Sequence, residues 1–186
     1  GYSEEWVQEA ARRGLPNIKS MVEASSALTT KKAVRLFEKF KIFTKTELES
    51  QEEISYETYS KCINIEALTM IDMAKKQILP AVIRYTKTLA DTIIAVKEAG
   101  ADVSVQSELL NEVTQKLAEA KMALTVLEEN VSRAGTIKNQ KELAFFFKDK
   151  VFTAMENLRE PVDELEMLVD QKVWPIPTYG DLIFEV

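Results

Sequence analysis

Histidine is absent from the 186 residues, and cysteine occurs once. Without histidine there is no imidazole general base, no Ser–His or Cys–His nucleophile pair, and no Glu-x-x-His ligand set of the kind di-iron bundles use. A single cysteine, Cys62, allows no internal disulfide and fits a reducing, cytoplasmic setting. On an apolar helix face it reads as a small core residue rather than a nucleophile. No uncharged apolar run approaches the roughly 20 residues of a membrane-spanning helix. The N-terminus shows no signal-peptide order of basic, apolar and small residues, and Gly1-Tyr2-Ser3 lacks an initiator Met, as an excised fragment would. Gly-rich phosphate loops and C-x-x-C pairs are missing. Positive charge is the minority, 24 Lys and Arg against 30 Asp and Glu for a net −6. That balance disfavours nucleic acid or anionic lipid as a partner, since both need clustered positive charge.

Glycine and proline are scarce too, at five each. Gly14, Gly100 and Gly135 follow helical runs, where a left-handed C-terminal cap is expected. Pro80 and Pro161 are the breakers inside periodic segments, and Pro175, Pro177 and Gly180 fall in the tail. So few breakers among long periodic runs predict few, long helices: an all-α, antiparallel helical bundle with short N-terminal helices and an extended C-terminal tail.

What is present is helical periodicity. Ser3 suits the cap of a short helix through Arg13, with Glu4 and Glu5 favourable to its dipole. Residues 17–28 show no clear pattern. Thr30 precedes a second short helix with the apolar set Ala33, Leu36, Phe37 and Phe40. Thr44 and Glu47 then form a capping box that opens the central element, a helix over about residues 44–99. Unbroken, it would be about 80 Å long at 1.5 Å per residue. Leu68, Ile71, Ile78, Val82, Tyr85, Leu89, Ile93 and Val96 set its stripe, and around 62–74 apolar residues surround most of the circumference, the mark of a buried helix. Pro80 removes one donor and crowds the Lys76 carbonyl, so a kink or break is expected there.

After the loop at 101–106, with Ser107 as cap, Leu110, Val113, Leu117, Ala120, Leu124, Leu127, Val131 and Ala134 alternate three and four apart, a seam for antiparallel neighbours. The last helix starts near Asn139 and continues that seam through Phe147, Val151, Ala154, Leu158, Leu165 and Leu168, with Pro161 expected to bend or divide it. At about 40–50 Å each, these two helices can cover only the half of the central helix around 75–99. The half around 54–73, with Ile65 and Met70, needs other cover: the N-terminal helices, a second copy or another domain. Phe145-Phe146-Phe147 exceeds what one core face can use, so Phe145 and Phe146 are candidates for a second contact surface. The tail, 174–186, holds Trp174, Tyr179, Leu182, Ile183 and Phe184, a content foreign to disordered polar ends. It is expected to be an ordered strap docking through Trp174, Tyr179 and Phe184, with Leu182, Phe184 and Val186 on one side of an extended chain.

Carboxylates are the remaining chemistry. Glu66 and Asp72 interrupt the most apolar stretch, but six helical residues turn through about 600°, so they face apart. Asp72 is set for a local ion pair with Lys75 or Lys76, and Glu66 stays open between a polar contact and solvent. Glu47, Glu49, Glu52 and Glu53 read as a solvated face, and the adjacent Glu128 and Glu129 diverge.

Two stretches resemble a known family. The segment INIEALTMIDMAKKQILPAV and the ending WPIPTYGDLIFEV resemble the C-terminal region of bacterial type III glutamine synthetases, and GYSEEWVQEAARRGLPN is similar to the same family. Over residues 15–48, Leu15-Pro16, Ala27-Leu28, Leu36-Phe37 and Phe43-Thr44 with Leu48 are similar to the segment closing the catalytic domain in glutamine synthetases generally. The resemblance implies residues 1–45 ending a catalytic-domain segment and 46–186 forming a C-terminal helical bundle domain. It implies a non-catalytic part of an ATP-dependent glutamate–ammonia ligase, serving assembly, stability or regulation of a homo-oligomer. Its partners would be the catalytic domain of the same chain and neighbouring subunits, with no nucleic acid and no membrane. ATP, glutamate, ammonium and divalent-metal sites would lie upstream. No catalytic, cofactor or metal residue of the family maps onto this sequence. The alternative is a free-standing helical interaction module unrelated to a ligase.

Overall fold

The structure, a computed structural model, describes residues 3–177 and 179–184. Every regular element among them is helical. Two compact units are delimited, the first joining Gly1–Cys62 to Lys138–Phe145 and the second joining Ile63–Ile137 to Phe146–Val186.

In the first unit the Ser3 hydroxyl accepts from Trp6 N–H at the start of α1 (Glu4–Arg12). The unpatterned stretch hides α2 (Met21–Ser25), capped by Ser20. Thr30 caps α3 (Lys31–Lys39) as expected. Its apolar set divides: Ala33 and Phe37 are half-buried, while Leu36 and Phe40 are exposed. The end of α3 runs through Lys41 at φ +53°, where Ile42 N–H donates back to the Phe37 carbonyl at 3.0 Å. That left-handed position is usually given to glycine. The capping box forms at the head of α4 (Lys45–Met73). Glu47 N–H donates to Thr44 Oγ1 at 3.3 Å, and Thr44 N–H donates to the Glu47 carboxylate at 2.7 Å. The Thr44 N–H first, and the Thr44 hydroxyl besides, hold the Glu47 carboxyl below its ordinary value. The unit closes over a small cluster of Val22, Tyr56 and Ala144, with Tyr59 and Phe145 packed against it.

The second unit is built on the seam. Beyond Met73 a π-helical turn, Ala74–Ile78, leads directly into α5 (Leu79–Glu98). The helix passes Pro80 without ending. Leu79 N–H donates to the Ala74 carbonyl five residues back, and this widened turn absorbs the register change that the missing donor and the bulky ring impose. Gly100, at φ +78°, ends α5 as a left-handed cap. The next helix, α6 (Ser104–Ala134), begins three residues before the expected Ser107 because the Asp102 carboxylate accepts from Ser104 N–H and its hydroxyl. Gly135 ends α6 in right-handed geometry, φ −60°, so its expected left-handed role is not used.

Along α6, Val113, Ala120, Leu124, Leu127 and Ala134 are buried as the spacing predicted. They meet α8 (Thr153–Leu168), which follows α7 (Gln140–Phe146) and a second π-helical segment, Phe147–Phe152. Asn139 caps α7 through its side chain to Glu142 N–H, 3.0 Å. Phe147, Val151, Ala154, Leu158 and Leu165 complete the dry seam. Pro161 lies buried within a continuous α8 and does not divide it. Lys75 to Glu128 at 2.7 Å and Lys116 to Glu164 tie neighbouring antiparallel helices.

Two expectations for the central helix need correction. Cys62, Ile65 and Leu68 are exposed rather than buried, so the apolar circumference there is not all core. The last helix also serves more of the chain than length alone suggested: Ala144 lies against Tyr56 in the first unit, and Leu158 lies beside Met70 and Met73 in the second. Among the described residues no helix is long and apolar enough to cross a membrane.

Candidate docking groove

An open cavity of about 460 Å³ lies in the second unit. Ile65, Met70 and Met73 from α4, Met155 and Val162 from α8, and Ile176 from the tail line it. Residues 65, 69 and 73 recur four apart and 155, 158 and 162 three and four apart, so helical geometry alone points each set to one face. The tail is turned towards this site by Asp170. Its carbonyl accepts from Val173 and Trp174 N–H at 2.8 and 3.0 Å, and its carboxylate accepts from Lys172 N–H at 2.8 Å. Trp174 is buried, its indole N–H without an acceptor among the described residues.

The floor is apolar and rich in methionine, whose unbranched thioether adapts to irregular partners. Charge sits on the rim. Arg159 is paired with Asp163, 3.0 Å away, while Glu66 is exposed with no cation beside it among the described residues. Asp72 pairs with Lys76 on its own helix as expected; Lys75 goes instead to Glu128. No group of three or more His, Cys, Asp or Glu gathers to hold a metal among the described residues. The arrangement suits a docked apolar side chain.

The structure thus brings the expected docking residues Ile65 and Met70 to one groove and scatters the others. Phe145 packs partly into the first unit's cluster. Phe146 lies under the Arg133 guanidinium, 5.5 Å from its ring centre, and Phe147 is core. The tail beyond Gly180 is not extended: α9 (Tyr179–Phe184) is a short helix. A short helical turn satisfies backbone groups that a lone extended chain would leave to water. Phe184 at its end is 80% exposed. The Tyr179 side chain and Val186 lie outside the described residues.

One site escaped sequence reasoning. Glu52, assigned to a solvated face, is half-buried. Its carboxylate accepts from the Thr29 hydroxyl at 2.6 Å and the Tyr56 hydroxyl at 2.7 Å, with Lys141 Nζ at 3.4 Å. Ser26 shares a 2.7 Å hydrogen bond with the same Tyr56 hydroxyl. Burial raises the Glu52 carboxyl most, but the Thr29 and Tyr56 donors and the Lys141 charge together outweigh it, and the group rests below its ordinary value. Tyr56 is pushed up, by burial first and by Glu52 besides. The spacing of Glu52 and Tyr56, one helical turn apart, was the only local signal. Thr29 and Lys141 come from distant sequence.

The chain is similar to known proteins over its whole length. The family "Glutamine synthetase C-terminal domain" matches residues 1–97. The glutamine synthetase of Butyrivibrio fibrisolvens is 35% identical over 188 residues, covering 100% of this chain and 27% of that protein. The glutamine synthetase of Bacteroides fragilis (strain YCH46) is 33% identical over 190 residues, 99% of this chain and 26% of that protein. The type-3 glutamine synthetase of Dictyostelium discoideum is 31% identical over 193 residues, again 99% and 26%. The chain therefore spans about a quarter of the length of these relatives.

Proposed function

Since the chain belongs to the glutamine synthetase C-terminal domain family, we propose that it is the non-catalytic helical C-terminal region of a type III glutamine synthetase. In this reading the parent is an ATP-dependent glutamate–ammonia ligase of the cytoplasm. Residues 1–45 close its catalytic domain, and the helices beyond serve assembly, stability or regulation of the oligomer. The supporting observation is the pattern of similarity: it runs from end to end of this chain yet covers only 27% of the Butyrivibrio relative. The chemistry of the described residues agrees in kind, an apolar groove and a polar tie. The chain's partners are then the catalytic domain of its own parent and neighbouring subunits.

The test compares the purified chain with the same chain joined to the coding region upstream of Gly1. The expected result is no glutamine formation and no tight ATP binding by the chain alone, and ligase turnover by the joined protein. Turnover by the chain alone, or an upstream frame without several hundred further ligase-like residues, would overturn the reading.

A further inference from the structure

Helix α3 has a face that its own unit does not use. Lys31, Arg35 and Lys39 recur every four residues, with Lys32 on the same side of the helix, and all four are exposed. Leu36 and Phe40 flank them, 53% and 62% exposed. Ala33, Val34 and Phe37 point the other way and are half-buried. Lys31, Lys32 and Arg35 meet no carboxylate among the described residues, and Lys39 lies 5.6 Å over the Phe40 ring.

The groove has the opposite endowment, an apolar methionine floor with the unpaired Glu66 at its rim. The difference extends to the surrounding surfaces. The first unit holds 12 Lys and Arg against 11 Asp and Glu, and the second holds 12 against 19. Complementary potentials of this kind select a partner and its register. Helix-in-groove recognition uses apolar anchors about one turn apart with charged flanks, and Leu36 and Phe40 have that spacing.

We propose that the groove receives helix α3 of a second copy of this chain, Leu36 and Phe40 seated on the methionine floor and the α3 cations facing Glu66. Helix α9 competes for the role, since Leu182, Ile183 and Phe184 are exposed. Its acidic residue, Asp181, has the same sign as Glu66, which opposes it. Each copy holds one donor helix and one acceptor groove, so the contact closes as a reciprocal pair or runs head to tail. The proposal names a contact for the assembly role above and rests on it.

Sedimentation velocity of the 186-residue chain over a concentration series tests it. Concentration-dependent association is expected, weakened by salt because charges on the rim are screened. Leu36→Asp and Ile65→Asp alter exposed positions, so the melting temperature should hold while association weakens by about tenfold or more. A chain bearing Lys31→Glu, Arg35→Glu and Lys39→Glu, and a second bearing Glu66→Lys, should each associate weakly alone and recover when mixed. Should Ile65→Asp unfold the chain, the Glu66→Lys mixture still decides the matter. A chain that stays monomeric at every concentration overturns the proposal, as does association indifferent to these changes. Loss of association only on removing residues 179–186 would assign the groove to α9 instead. None of these failures touches the ligase reading, which the activity of the joined protein decides separately.

Discussion

The seam between α6 and α8 and the tie around Glu52 hold their units by different means. Leu124, Leu127, Leu158 and Leu165 are almost wholly buried and meet along a stripe repeated turn after turn. The first unit's cluster joins Val22, Tyr56 and Ala144, and beside it stands a half-buried carboxylate with one donor from its own helix and two from distant sequence. A repeated apolar stripe is redundant, whereas a single carboxylate is a point of failure, because leaving its partners unsatisfied costs the desolvation of each. The first unit should therefore be the softer of the two, opening at lower free energy than the seam.

The largest effect should come from the seam. Leu124→Ala leaves a cavity in a closely packed interior and should cost about 2–5 kcal/mol, read as a lowered denaturant midpoint. A loss below about 1 kcal/mol would mean that the seam relaxes freely and is not the better-packed region.

Next comes the tie. Glu52→Ala removes the acceptor of the Thr29 and Tyr56 hydroxyls and the carboxylate facing the Lys141 ammonium, and should cost about 1–3 kcal/mol. Amide exchange should then quicken over residues 20–30 and leave α6 unchanged; a uniform change across both units would erase the distinction.

The same carboxyl gives a pH test. Held below its ordinary value in the folded chain, Glu52 binds fewer protons folded than unfolded. Its contribution is therefore present above the unfolded carboxyl range, about pH 4.3, and is lost as pH falls through the lower folded value. Acid should loosen residues 20–30 in the parent more than in Glu52→Gln, followed by amide exchange between pH 5 and pH 3, on the order of the carboxyl range.

Smaller effects sharpen the contrast. Lys41→Gly relieves a side chain held at φ +53°, and should stabilise the first unit by up to about 1 kcal/mol. Lys116, which bridges α6 to Glu164 on α8, should matter least. Lys116→Gln should change stability by less than about 1 kcal/mol, and by less still in high salt, since the leucines beneath already hold those helices.

Much of this architecture is legible in the amino-acid sequence alone. Helical spacing by itself marks Val113, Ala120, Leu124 and Leu127 as one face, because side-chain direction in a helix follows from residue number. Hydroxyl and carboxylate pairs three residues apart likewise mark the start of α4, since a cap is satisfied within a few residues of itself. The long-range features are not legible in the same way. Glu52 reads as solvated because its partners, Thr29 and Lys141, are 23 and 89 residues away. Pro80 reads as a break because sequence cannot tell whether neighbouring packing will stabilise a widened turn. Cys62, Ile65 and Leu68 read as buried because composition records how apolar a helix is but not which of its faces another element reaches. Local rules decided where helices begin and which faces seek cover; three-dimensional packing decided which of those faces were covered, because burial depends on groups that the chain brings together from far apart.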